Sequence, residues 1–313
     1  MSGIIPRGGE SRGDRGRLVS QKQRGDHSLL FRGASVRGRT GILLIHGLGG
    51  TPLELKTVAR GLAARGWTVS CCQLAGHCGT EEDLLGTGWA DWYASAERAM
   101  AELERECDTI LVGGLSIGAV LALRLAALNK DRVHGTILFA PTLWYDGWAV
   151  PWYRFMLKLG FIFSYDKWVR RLKFPERDPF GIKDRTIRAL VAGAMLSGKS
   201  AEAGLVCTPL GALAEADQLV KDVLHRLEGI KTPALIVHPR EDDISDLSNA
   251  IHLQRKLGGL ADCLVLDDSY HIVTVDRQRD IVIDRAANFI DFIERRQARE
   301  TGAGARVVPL AGA

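Results

Sequence analysis

With 313 residues, 46% of them hydrophobic and 25% charged, the chain can bury one large α/β core with an insertion, and global disorder is excluded. The formal charge of +4 comes from residues 1–39, where nine Lys/Arg face three Asp/Glu; the rest of the chain sums to −2 and carries no recognition motif, so nucleic acid is not an expected partner. No uninterrupted run approaches the roughly 18 apolar residues of a membrane span and no apolar stretch follows the early basic residues, so a cytoplasmic protein without stable membrane insertion is expected.

Residues 1–28 are rich in Gly, Arg, Ser and Asp, lack apolar periodicity, and read as a disordered basic tail. Ser-Leu-Leu-Phe at 28–31 can add an edge strand. From residue 41, short apolar runs alternate with longer segments of helical period, the pattern of a parallel sheet built from βαβ units with helices on both faces. Strands are expected at Ile42–His46, Thr68–Cys72, Thr109–Gly113, Gly135–Ala140, Ala234–His238 and Asp262–Leu266. Helices are expected at Pro52–Arg65, Trp89–Glu106, Ser116–Leu128, Ala212–Leu227, Asp246–Leu257 and Arg277–Arg296. The first has Thr51 at its N-cap, Pro52 at N1 and Gly66 beyond its last turn.

Residues 142–208 break the alternation and hold 12 of the 21 aromatic residues, among them Trp144, Trp148, Trp152, Tyr153, Phe155, Phe161, Phe163 and Trp168, with no clear strand. They read as a mainly helical cap insertion between two halves of an α/β core, 29–141 and 209–297, with a flexible C-terminal tail at 298–313. The insertion's 11 Lys/Arg against six Asp/Glu gather positive charge there. A basic aromatic cover can touch an anionic lipid surface or guide an amphiphilic or phosphate-bearing substrate; alternatively its aromatics pack inward and its charges only solvate it. The six cysteines, Cys71, Cys72, Cys78, Cys107, Cys207 and Cys263, form no CxxC pair and read as reduced thiols, so no metal site is expected.

The strongest local signal is Gly114-Leu115-Ser116-Ile117-Gly118, between an apolar strand and an apolar helix. A serine on such a turn is forced out at the carboxyl end of the sheet, and the glycines avoid collisions with neighbouring backbone. The amide of Ile117, at the helix N-terminus, can stabilise a developing oxyanion. His46-Gly47-Leu48-Gly49-Gly50 follows the strand at Ile42–His46 and offers a second amide, that of Leu48. A serine hydroxyl needs a base. His27 lies in the tail, His134 and His225 at element edges, His238 at a strand end and His252 inside a helix; His271 stands in a loop directly after the strand Asp262–Leu266, at the carboxyl end of the sheet. The orienting acid lies among Glu241, Asp242 and Asp243, with Asp246 better suited to an N-cap. Such a constellation needs no metal or organic cofactor.

With these residues the chain resembles the carboxylesterase and monoacylglycerol-lipase branch of the α/β-hydrolase superfamily, and in particular small bacterial carboxylesterases. The resemblance runs from about Gly41 to Arg296, outside much of the insertion, and rests on His46-Gly47-Leu48, Gly76-His77, Gly114–Gly118, Arg240-Glu241-Asp242-Asp243 and Tyr270-His271. It implies an α/β-hydrolase fold, the chain order Ser116, Asp242, His271 for a catalytic triad with Asp243 as the fallback acid, and cleavage of a small carboxylic ester with a short or medium acyl chain, or a monoacylglycerol-like lipid, through an acyl-serine. A thioesterase, amidase or acyltransferase would share that intermediate, and a non-catalytic binding protein could share the fold. The chain departs from the family in having Gly76-His77-Cys78-Gly79 where Gly-His-Gly is common, and Tyr270 before the base.

Overall fold

A computed structural model describes residues 25–33, 39–150, 166 and 168–300. Its main sheet has seven strands: β1 (Leu29–Phe31), β2 (Thr40–Ile45), β3 (Thr68–Cys72), β4 (Thr109–Leu115), β5 (Gly135–Phe139), β8 (Ala234–Pro239) and β9 (Ala261–Leu266), in spatial order β1-β3-β2-β4-β5-β8-β9. All neighbours are parallel except β1, which runs antiparallel to β3 at the edge. This is the α/β-hydrolase fold, and β4 lies at its centre.

Continuous apolar runs become a two-sided core because successive side chains in a strand point to opposite faces. In β2, Leu43 and Ile45 pack with the helices Trp89–Leu103, Ile117–Leu128, Leu210–Leu224 and Ser248–Lys256, while Ile42 and Leu44 pack with the helices Lys56–Ala63 and Arg279–Glu300. The Ile117–Leu128 helix is apolar almost all round because it is buried on nearly every side, as its run of buried residues requires.

Helix starts follow local chemistry. Thr51 accepts from the Leu53 amide, as its N-cap position predicts, but the segment opens with a 3-10 turn, Pro52–Leu55, before the α-helix begins at Lys56. A helix at Glu81–Leu85, unforeseen from periodicity because it spans little more than one turn, is closed by a capping box between Thr80 and Asp83. The final helix continues to Glu300, past the expected end of the core.

The stretch 142–208 differs from its helical expectation. Its described part contains the helices Arg185–Leu196 and Ser200–Ala203, but also β6 (Lys173–Pro175), paired antiparallel with β7 (Cys207–Pro209). Each strand is three residues long and ends in proline, which hides it from a pattern search. Trp148 and Trp168 are 59% and 83% exposed, so these two do not pack inward. Trp152, Tyr153, Phe155, Phe161 and Phe163, most of the N-terminal tail and most of 298–313 lie outside the described residues. All six cysteines are free. Among the described residues no helix is long and apolar enough to cross a membrane.

Backbone closes tightly on Gly118, where a Cβ would sit 2.1 Å from the Ile45 carbonyl oxygen. Gly118→Ala should therefore lower stability by at least about 1–3 kcal/mol, the range for overpacking. Gly193, exposed in the Arg185–Leu196 helix with nothing within 4 Å of a built Cβ, gives the opposite expectation: Gly193→Ala should stabilise by about 0.5–1 kcal/mol. Denaturant midpoints of the two variants check both signs.

Candidate active site

Ser116 sits between the end of β4 and the helix that starts at Ile117, with φ 58° and ψ −120°. A non-glycine residue there is strained by roughly 1–3 kcal/mol, so the surroundings must hold it. They do so from both sides. The Ser116 amide donates to the Phe139 carbonyl of β5 at 2.9 Å, and Gly114 lies so near the helix that a Cβ would stand 2.4 Å from Gly118 C. The hydroxyl projects at the carboxyl end of the sheet and lies 3.1 Å from Thr142 Oγ1.

His271 follows β9 and Asp242 follows β8, two adjacent parallel strands, so both loops rise at the same end of the sheet. His271 Nδ1 lies 2.9 and 2.8 Å from the two Asp242 oxygens. A carboxylate only accepts, so Nδ1 carries the proton and the Nε2 lone pair faces outward; buried Nε2 has no hydrogen-bond partner among the described residues. Burial alone would lower the His271 pKa, but the charge and hydrogen bond of Asp242, with Asp243 and Glu54 beyond, outweigh it and hold the imidazole above its ordinary value. Burial opposes ionisation of Asp242 as well, yet His271, His238 and the Ser245 amide together keep it below the usual carboxylate range.

The acid's loop is built around its own backbone. Asp242 Oδ1 accepts from the amides of Ile244 and Ser245 at 2.8 and 2.9 Å. His238 Nε2 must donate to the Ser245 carbonyl at 2.9 Å and is 3.4 Å from Asp242 Oδ2, so this strand-end histidine supports the acid and does not face the serine. Asp243 turns the other way. Its oxygens accept from the amides of Gly181 at 2.9 Å and His271 at 3.3 Å, and burial raises its pKa. Asp276 does similar work, taking the amides of Lys183, Asp184, Tyr270 and Arg277 at 2.7–2.9 Å. Tyr270, the unusual residue before His271, packs edge-on to Trp148 at 5.5 Å, with Lys183 Nζ 5.3 Å from its ring centre.

Leu48 and Ile117 come from the two loops that flank Ser116, and Leu48 lines the same pocket as Ser116 and His271. Gly47 and Gly50 close a turn through a 3.2 Å backbone bond. His46 and His77 are structural. His46 Nε2 accepts from the Leu74 amide, His77 Nδ1 lies 3.0 Å from the Ala75 carbonyl, and the rings meet edge-on at 4.9 Å. Burial pushes the two down to about 3 and about 4, so both stay neutral. Cys78 adopts φ 63°, the left-handed region that favours glycine, which is why a glycine is common at the matching place.

The pocket over Ser116 is walled by apolar side chains, including Val150, Phe174, Phe180, Val191, Met195 and Leu213, and no Lys or Arg is among the described residues that line it. Two carboxyl groups do: Glu54 and Glu176, the latter accepting from Thr208 Oγ1 at 3.2 Å. Burial raises both pKa values, Glu54 to about 7. Neither glutamate was singled out in the sequence, where one reads as a first-turn acid and the other as a charged loop residue; nor was Thr142. No group of three or more His, Cys, Asp or Glu arranged to hold a metal ion occurs among the described residues.

Sequence comparison finds a thermostable monoacylglycerol lipase of Bacillus sp. (strain H-257), 29% identical over 261 residues that cover 80% of this chain and 90% of the relative. A carboxylesterase of Bacillus subtilis (strain 168) is 24% identical over 259 residues, covering 82% and 94%. Among solved structures, a soluble variant of monoglyceride lipase from Saccharomyces cerevisiae superposes with a TM-score of 0.72 at 15% identity, over 85% of this chain and 91% of that one. Residues 37–278 match the serine aminopeptidase family, S33, and so include β2 through the loop of His271. The chain belongs to the serine aminopeptidase S33 family of α/β hydrolases.

Proposed function

We propose that the protein is a serine hydrolase of carboxylic esters that works through an acyl-serine intermediate. The observation that carries this reading is the bond from His271 Nδ1 to Asp242, which leaves Nε2 unpaired at the pocket that Ser116 lines. Ser116 Oγ attacks the acyl carbon as His271 Nε2 takes its proton; the amides of Leu48 and Ile117 hold the oxyanion. His271 then protonates the leaving alcohol, and a water activated by the same nitrogen releases the acid. Ser116 Oγ rests on Thr142, so it must turn from that hydroxyl toward His271 before attack. The names of the two Bacillus relatives support ester hydrolysis.

For the substrate we favour an uncharged amphiphile with a short or medium acyl chain, such as a monoacylglycerol. Apolar walls suit the acyl chain, and the Glu176–Thr208 pair offers acceptor and donor groups to a hydroxylated leaving alcohol. Among the described residues, a phosphate or carboxylate in the pocket would meet two glutamate side chains and no lining cation, which disfavours the phosphate-bearing substrates that the basic insertion alone suggested. The insertion's charge acts, in this reading, at a lipid surface: Trp168, Leu190 and Leu196 are exposed on the segment that also carries Arg170 and Arg171. The six free thiols fit a cytoplasmic site of action.

Three measurements check this reading. Ser116→Ala and His271→Ala should each abolish turnover of p-nitrophenyl esters without loss of the fold, and combining them should cost little more. Asp242→Asn should lower kcat by up to about 10⁴-fold, far more than Asp243→Asn, whose side chain only accepts backbone amides; the reverse ranking would reassign the acid. Finally, kcat/KM for a medium-chain monoacylglycerol should exceed that for the acyl-CoA of the same chain by roughly tenfold or more, as expected when a charged group must leave water for an apolar pocket whose described lining offers it no cation. Equal or inverted preference would point to a thioesterase instead.

A further inference from the structure

Glu54 lies outside the path from Asp242 to Ser116, yet its carboxyl is built into the loop that faces the nucleophile. The Gly47 amide donates to Glu54 Oε2 at 3.2 Å. A Cβ on Gly50 would fall 2.1 Å from Oε1 and 2.5 Å from Oε2, so the loop backbone rests directly on the carboxyl group. The point where a Cβ on Gly47 would sit is 3.5 Å from Ser116 Cβ and 3.7 Å from Glu54 Oε2, so Gly47 has both the serine and one carboxyl oxygen as neighbours. Thr274 Oγ1 donates to the Glu54 carbonyl at 2.6 Å and ties this residue to the loop of His271. Among the described residues, the ionisable groups that face it are His271 after β9, Glu176 after β6 and Cys78 after β3, and no Lys or Arg lines the pocket.

We infer that Glu54 is a positioning residue that must carry its proton for the oxyanion loop to work. As a neutral acid it still accepts the Gly47 amide and keeps Leu48 in place, and it sets no charge of its own beside the oxyanion. As a carboxylate it sets a like charge beside the position where the acyl oxygen becomes negative. This inference rests on Ser116 being the nucleophile and on the Leu48 and Ile117 amides holding the oxyanion.

The signs fix a pH profile. Burial, only partly offset by the two amides and by His271, pushes Glu54 up to about 7. The neutral acid is therefore lost as pH rises through about 7. His271 works in the opposite sense, since only its neutral form takes a proton, and its pKa is raised above the ordinary value. The two limbs oppose each other, and kcat/KM should trace a bell with its alkaline fall set by Glu54. At an effective dielectric of about 20, like charges a few ångströms apart correspond to a rate factor on the order of ten or more.

The test is the rate of Ser116 labelling by a fluorophosphonate, and kcat/KM for a p-nitrophenyl ester, measured across pH for wild type and Glu54→Gln. The glutamine keeps a carbonyl acceptor for the Gly47 amide and cannot ionise. Wild type should lose roughly tenfold or more of its peak rate on the alkaline side, while circular dichroism stays unchanged at the same pH. Glu54→Gln should hold a plateau there, and its acid limb should move to lower pH, because the charge that helps to raise His271 is gone. A wild-type profile without an alkaline fall would overturn the proposal whether or not the variant folds, as would a fall that persists in Glu54→Gln. Absence of labelling at every pH would overturn the nucleophile assignment as well, and so separates the two failures.

Discussion

The fold is organised around one strained residue. Ser116 holds a backbone conformation that no L-residue favours, and it persists because β5 takes its amide on one side while Gly114 and Gly118 let strand and helix close on it from the other. Gly118 also lies against the Ile45 and His46 carbonyls, so the elbow and the start of the Gly47–Gly50 loop are fixed by one contact. Ser116 and the Gly47–Gly50 loop therefore share their support. A side chain at either glycine would move both.

His271 is held by a different device, buried carboxylates that accept backbone amides. Asp242 takes the amides of its own turn and meets the imidazole; Asp243 and Asp276 reach across to residues 181–184 and back to the His271 loop. Each amide bonded to a charged acceptor stabilises the arrangement more than a neutral pair would. The segment that walls the pocket is thus pinned to the loop that carries the base, which couples the shape of the substrate site to the position of His271. Glu54 differs on the opposite side, where a neutral acid accepts the Gly47 amide and holds the loop in front of the serine.

The central strands and the serine elbow were legible because both depend on local rules: a continuous apolar run for a strand buried on two faces, and a glycine-flanked serine where strand passes to helix. His271 was legible from its place directly after β9. The choice among Glu241, Asp242 and Asp243 was not, since three adjacent carboxylates present the same chemistry and only alternation of direction separates them. Asp242 points at the imidazole, while Asp243 bonds to amides 62 and 28 residues away in the chain. Glu54 and Glu176 were hidden for a related reason, because each becomes a pocket group only when distant segments fold over it. The β6–β7 pair was invisible because three-residue strands with Lys and Pro carry almost no pattern.

The account stands or falls on Ser116 as the atom that is acylated. The most direct measurement is to treat the full-length protein with a fluorophosphonate, digest it, and locate the adduct by tandem mass spectrometry. A single phosphonyl group on the peptide that contains Gly114–Gly118, assigned to Ser116 and missing in Ser116→Ala, is the predicted result. An adduct on another residue, or undiminished labelling in Ser116→Ala, would contradict it.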